Sequence, residues 1–376
     1  MPLIPCQRSL FDIGDATAYF DCAKMSPLSR AAIEAGRRGL ERKAHPWNVK
    51  AEHFFDESEA VRALFARLIG AAAGDVAIVP SVSYAMATVM ANVPVAAGQK
   101  IVTLADDFPS GILASRALAR RSEARVVTVP RPESEDWSAA ILEAIDGETA
   151  LVVAPHTHWV CGTMIDVEAI GRRCRSVGAA LALDTTQSTG ALPLDLAAVD
   201  PDYLVATSYK WLLGPYSLGF LYVAPRHQQG RPLEEAWVVR RGAEDFRSLC
   251  AYEEGFAPGA RRFDMGERSN FALLPVVGAA LGQLLDWGVA NIAKTLGAMT
   301  EALEARLRER DVVARSGRAP HFLSVRFPGG LPEGIEERLA AADVHVSLRG
   351  DWMRITPHLY NDEGDAERLL SALRPK

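Results

Sequence analysis

Lys210 is one of seven lysines, and it stands where an amine could do chemistry. It follows the apolar run Tyr203-Leu204-Val205-Ala206-Thr207, within Ser208-Tyr209-Lys210-Trp211-Leu212-Leu213-Gly214-Pro215. Burial lowers an amine's proton affinity and frees it to form an imine with an aldehyde. A surface lysine at a loop edge is the plainer alternative, so the neighbours have to decide. Asp184 ends a second apolar run, Ala180-Leu181-Ala182-Leu183, and leads into Thr185-Thr186-Gln187. A carboxylate there is costly unless paired. A protonated pyridine nitrogen would pair it and keep that ring an electron sink; an Asp that caps the next turn reads the same. Gln187 can donate a hydrogen bond to a ring oxygen.

Other run ends carry further candidates. Pro80-Ser81-Val82-Ser83-Tyr84 opens a helical pattern. The free N–H groups of a helix N-terminus, with the Ser81 and Ser83 hydroxyls, suit a phosphate, although a plain serine cap looks alike. GxxxxGK is absent, so this is not a Walker loop. Pro155-His156-Thr157-His158-Trp159 holds two histidines two apart. No third and fourth ligand stands at usual spacing, so ring stacking or substrate contact suits them better than a metal. Phe108, in Asp107-Phe108-Pro109-Ser110, can stack on a flat cofactor or merely fill core.

The elements that must position these residues have a clear rhythm. Helical patterns run from Pro27 to Ile69, with a break near His45-Pro46-Trp47. Short apolar runs at 76–79, 100–104, 124–129, 150–154, 180–183, 203–207 and 220–223 then mostly alternate with helices. That pattern predicts an α/β fold with a mainly parallel, seven-stranded sheet covered on both faces. In such sheets ligands bind at the carboxyl ends of the strands, where the candidates lie. After Gly259 a long helix (Leu273 to Leu303) and further strand and helix segments predict a smaller α/β domain. The expected division is a large domain over 17–258 and a small one over 259–376, joined by 1–16.

Composition sets outer limits. A formal net charge of -6 argues against nucleic acid or anionic membrane as a partner. Five cysteines, an odd number without a CxxC pair, disfavour a disulfide framework and a structural zinc site. No apolar run nears the roughly 18 residues that span a bilayer, and the N-terminus lacks the pattern of an export signal. A soluble, cytoplasmic protein is the expectation.

Three stretches resemble a known family: Ala182-Leu183-Asp184-Thr185-Thr186-Gln187-Ser188, Ser208 to Pro215, and Arg354-Ile355-Thr356-Pro357-His358-Leu359-Tyr360-Asn361. The chain resembles the class V aminotransferase group of fold-type I pyridoxal 5′-phosphate (PLP) enzymes. That group includes cysteine desulfurases, selenocysteine lyases, isopenicillin N epimerase-like proteins and kynureninases. The resemblance implies that Lys210 carries the cofactor and that Asp184 pairs with the pyridine nitrogen. It implies that Gln187 contacts the ring hydroxyl and that Phe108 stacks, as in kynureninases. Phosphate contacts would come from the Val82 amide, Ser83, Ser208 and Tyr209. Arg354 would hold a substrate carboxylate, with His158 also at the substrate. It further implies a homodimer, with Ser269 or Asn270 in the position that reaches the neighbouring site.

The expected function is transamination or β-elimination at the Cα amino group of an α-amino acid. Epimerisation and kynureninase-like hydrolysis are alternatives. Rivals of other classes are a non-catalytic PLP-binding regulator and a metal-dependent hydrolase using His156 and His158. A persulfide-forming desulfurase is disfavoured, because Val344-His345-Val346-Ser347-Leu348-Arg349-Gly350 lacks the loop cysteine such enzymes need and no cysteine follows Cys250.

Overall fold

The computed structural model describes residues 2–310 and 312–374. Met1 and Lys376, the outer bounds of the expected domains, lie outside the described residues. In chain order the strands are β1 (Ala18–Tyr19), β2 (Val76–Val79), β3 (Lys100–Leu104), β4 (Arg125–Val129), β5 (Thr149–Pro155), β6 (Ala180–Asp184), β7 (Tyr203–Thr207), β8 (Gly219–Val223), β9 (Val313–Ala314), β10 (Leu323–Arg326), β11 (Val344–His345), β12 (Ser347–Arg349) and β13 (Trp352–Ile355). The helices are α1 (Arg30–Ala44), α2 (Asp56–Ile69), α3 (Val82–Asn92), α4 (Pro109–Ser122), α5 (Trp137–Ala144), α6 (Val167–Val177), α7 (Leu196–Val199), α8 (Leu273–Trp287), α9 (Val289–Arg308), α10 (Ile335–Ala341) and α11 (Glu363–Ala372).

Seven strands form one sheet in the order β2-β8-β7-β6-β5-β3-β4. The β4–β3, β3–β5, β5–β6 and β6–β7 pairs are parallel, and β8 runs antiparallel to both of its neighbours. The apolar runs are continuous because both faces are covered. Ile101 and Leu151 pack on one side with α3 and α4, while Val102 and Val152 pack on the other with α5 and α6. Side chains alternate across a strand, so one run feeds two cores. Only the edge strand β4 is largely uncovered on its outer positions.

One expectation needs correction. The helix predicted from Leu273 to Leu303 is two helices, α8 and α9, bent by 76° at Gly288. Gly288 takes φ +75, a conformation that ends a helix and suits glycine. No single helix among the described residues is long and apolar enough to cross a membrane.

Packing around residue 259 does not follow chain order. Ala260 and Phe263 join the sheet's core, and α8 packs against α1 and α2. Conversely, Ala18 and Phe20 belong to the small core with Leu303, Leu323, Met353 and Leu369. There β1 pairs in parallel with β11, and β12-β13-β10-β9 form a four-stranded sheet. Residues 2–16 touch both units: Phe11 packs in the large core, while Arg8 pairs with Asp365 at 3.0 Å. Apolar contacts, not chain order, group these residues.

Candidate active site

Strand β7 is buried along its length and delivers Lys210 three residues beyond its end. Strand β6 ends on Asp184 itself, and the stretch after β2 delivers Val82 and Ser83. Ser81 caps α3 by accepting from the Tyr84 N–H at 3.1 Å, which leaves the first amides of that helix facing outward. These strand ends meet at a cavity of about 230 Å³. Its lining includes Val82, Ser83, Phe108, Asp184, Gln187, Tyr209 and Lys210.

Within it, Lys210 Nζ lies 5.5 Å from the Phe108 ring centroid and 5.8 Å from that of Tyr209. Burial lowers the Lys210 pKa to about 8, and nearby Asp184 opposes the shift only in part. The Asp184 carboxyl is pushed up by burial, against hydrogen bonding from Thr186 and the charge of Lys210. Its Oδ1 accepts from the Thr186 N–H at 2.9 Å. A reactive amine and a carboxylate short of cations thus share one enclosure.

The structure brings some expected residues to the cavity and not others. Ser208 is buried outside it: its hydroxyl donates to the Pro215 carbonyl at 2.5 Å and lies 2.8 Å from that of Leu218. His158 faces away, stacked on Trp137 at 4.9 Å, with Nε2 against the Ala105 carbonyl at 3.3 Å. His156 likewise turns to Ser188, at 3.1 Å. Arg354, 1% exposed, stands beside the cavity wall. Its guanidinium donates to the Trp159 carbonyl at 2.7 Å and faces Asp21 at 3.8 Å, and its Nε has no hydrogen-bond partner. Burial lowers its pKa to about 10, helped by Arg349 and opposed by Asp21. Ser269 donates to the Phe54 carbonyl of its own chain, and Asn270 Oδ1 accepts from the Ala272 and Leu273 N–H groups at 3.1 and 2.9 Å.

Sequence reasoning gave no role to Thr157, Asp107 or Ser110, which also line the cavity. Thr157 Oγ1 is buried with no hydrogen-bond partner. Ser110 Oγ lies 2.8 Å from Ser83 Oγ, so the first turns of α3 and α4 meet there. Burial pushes the Asp107 carboxyl up to about 7, against the pull of His158. The first residues beyond each strand end would have picked out all three.

This donor set fits a flat, phosphorylated, cationic heterocycle with an aldehyde. A helix N-terminus with hydroxyls would suit the phosphate. Asp184 would suit a ring cation, Phe108 a stacked ring and Lys210 an aldehyde, and the Thr157 hydroxyl would be left for a polar substituent.

A sequence profile described as aminotransferase class-V matches residues 19–353. Among relatives, the uncharacterized aminotransferase YcbU of Bacillus subtilis (strain 168) is 29% identical over 362 residues, 94% of this chain and 92% of that protein. A kynureninase of Deinococcus radiodurans is 29% identical over 280 residues, 69% of this chain and 64% of its own. Among solved structures, a mutant of C-DES with glycine covalently linked to its PLP cofactor superposes with a TM-score of 0.85 at 21% identity, covering 98% of each chain. The apo cysteine desulfurase of Thermococcus onnurineus NA1 gives 0.85 at 18% identity, over 99% of this chain and 98% of its own. At those identities the likeness is one of fold.

Proposed function

The chain belongs to the class V aminotransferase family and is a PLP-dependent enzyme, and we propose that it acts at the Cα amino group of an α-amino acid by transamination or β-elimination. The observation that carries this reading is Lys210 and Asp184 in one cavity with the α3 N-terminus. When bound, PLP supplies an aldehyde that captures amines and a ring that takes up the electron pair left at Cα.

The chain's own residues would do the rest. Lys210, its pKa lowered to about 8, would be roughly one-tenth neutral at pH 7 and could hold the cofactor, then take a proton at Cα. Asp184, ionised beside a ring cation, would keep that ring an acceptor of electrons. The Val82 amide, Ser83 and Ser110 would hold the phosphate, Phe108 would cover one ring face, and Tyr209 would close the pocket. Arg354 would receive the substrate carboxylate, with its unpartnered Nε–H among the donors.

Kynureninase-like hydrolysis is the second reading, favoured by Phe108 and by the kynureninases among the relatives. Persulfide transfer is disfavoured: Ser347, in the stretch before Arg354, bonds the Asp21 carboxylate at 2.8 Å, and no cysteine lines the cavity.

The test is visible absorption of the purified protein with added PLP, followed across an amino-acid panel with keto acid, ammonia and sulfide measured. Wild type should form a visible band that borohydride fixes to the protein, and Lys210→Ala should not. A colourless wild type would sink the reading.

A further inference from the structure

Trp211 follows Lys210 directly and is fully buried. Its indole Nε1 donates to Gln187 Oε1 at 2.9 Å, while Gln187 Nε2 donates to the Ala23 carbonyl at 3.0 Å. An indole N–H only donates and a carbonyl only accepts. The two contacts therefore fix which end of the Gln187 amide is oxygen; reversing it would set hydrogen against hydrogen and oxygen against oxygen.

The Gln187 backbone is held as well. Its carbonyl lies 2.6 Å from His321 Nε2, so that nitrogen carries the hydrogen. Burial lowers the His321 pKa to about 4 and keeps the ring neutral. Trp211 meets His321 edge-on, with centroids 4.5 Å apart at 89°. Gln187 lines the cavity, and this three-point clamp leaves it one uncommitted N–H.

We propose that Trp211 is a positioning residue for the cofactor's ring oxygen: it locks Gln187 so that this N–H, and not the amide oxygen, serves the cavity. The proposal rests on the PLP reading above. A fixed donor favours the anionic form of the ring oxygen. An oxygen so stabilised holds less tightly the proton it shares with the Lys210 nitrogen, so the pH midpoint of the visible band falls when the donor is in place.

Spectroscopic pH titration of the loaded protein tests this. Trp211→Phe keeps an aromatic ring and removes the N–H. It should raise the midpoint by about one pH unit, the tenfold change carried by one hydrogen bond to a charged acceptor. Gln187→Leu should raise it similarly, and the double variant should move no further than Gln187→Leu alone. An unmoved midpoint in Trp211→Phe, or a full second shift in the double variant, overturns the proposal. Should Trp211→Phe not fold, Trp211→Met carries the test, since it fills much of the same space without an N–H to give. A raised midpoint there supports the proposal, and an unmoved one overturns it. A wild type with no visible band overturns the cofactor reading itself; a midpoint that moves with Gln187→Leu but not with Trp211→Phe overturns the role of Trp211 alone.

Discussion

Lys210 is depressed toward neutrality chiefly by burial, and that has a measurable sign. Its neutral fraction grows as pH rises through about 8, so PLP capture by the apo protein should accelerate with pH and level off above that value. Stopped-flow absorbance from neutral to alkaline pH checks it; a flat profile would count against the buried amine. For Arg354, an Ala variant should raise KM for carboxylate substrates roughly 10–100-fold, the range expected for a lost charged hydrogen-bond pair. Steady-state comparison of an amino acid with its amide separates this from a general loss of folding, because the amide should lose less. The placement of individual residues was legible where a strand end was enough to fix it, as for Lys210 and Asp184. It was not legible where side-chain direction decides. From the end of β5 onward, Pro155, Thr157 and Trp159 line the cavity, whereas His156 and His158 turn away. Extended chain alternates sides, so the two histidines that drew attention in the sequence share the wrong side.

Elements set how closely those residues can approach. The loop after β6 crosses the Lys210 turn at Gly190, which has φ +99. A Cβ there would lie 2.4 Å from the Trp211 carbonyl oxygen. Gly190→Ala should therefore cost about 1–3 kcal/mol of stability and weaken PLP binding, through both backbone strain and a steric clash. Thermal melts and cofactor titration measure the two; a variant as stable as wild type would show that the crossing is slack. Strand positions were legible because buried strands read as continuous apolar runs bounded by turn residues. The α8–α9 break was missed because Gly288 sits inside an unbroken apolar pattern, and a single glycine is tolerated within helices.

At the scale of the molecule, a buried ion cluster fastens the large unit. Arg62 pairs with both Asp264 oxygens, at 3.0 and 2.7 Å, and Asp264 also accepts from the Ile78 N–H at 2.7 Å. Arg268 joins at 3.0 Å. Asp264→Ala would leave two buried guanidiniums without their shared anion and should cost about 3–5 kcal/mol. Chemical denaturation checks this, and a loss below about 1 kcal/mol would place the cluster among solvated pairs. Long-range packing was poorly legible for a related reason: contacts such as Asp264 with Arg62, or Ala18 with Val344, join residues far apart in the chain, and local pattern carries no record of them.

That last pairing also bears on the order of events during synthesis. Asp21 meets Ser347 across 326 residues. At roughly 5–20 residues per second, the N-terminal strand leaves the ribosome roughly 15–65 seconds before its partner exists. The sheet that presents Lys210 and Asp184 is complete in that interval, while Arg354 is still unmade. The half of the pocket that captures an aldehyde is thus born before the half that reads a carboxylate, and the waiting β1 segment is what the translating cell has to keep unpaired.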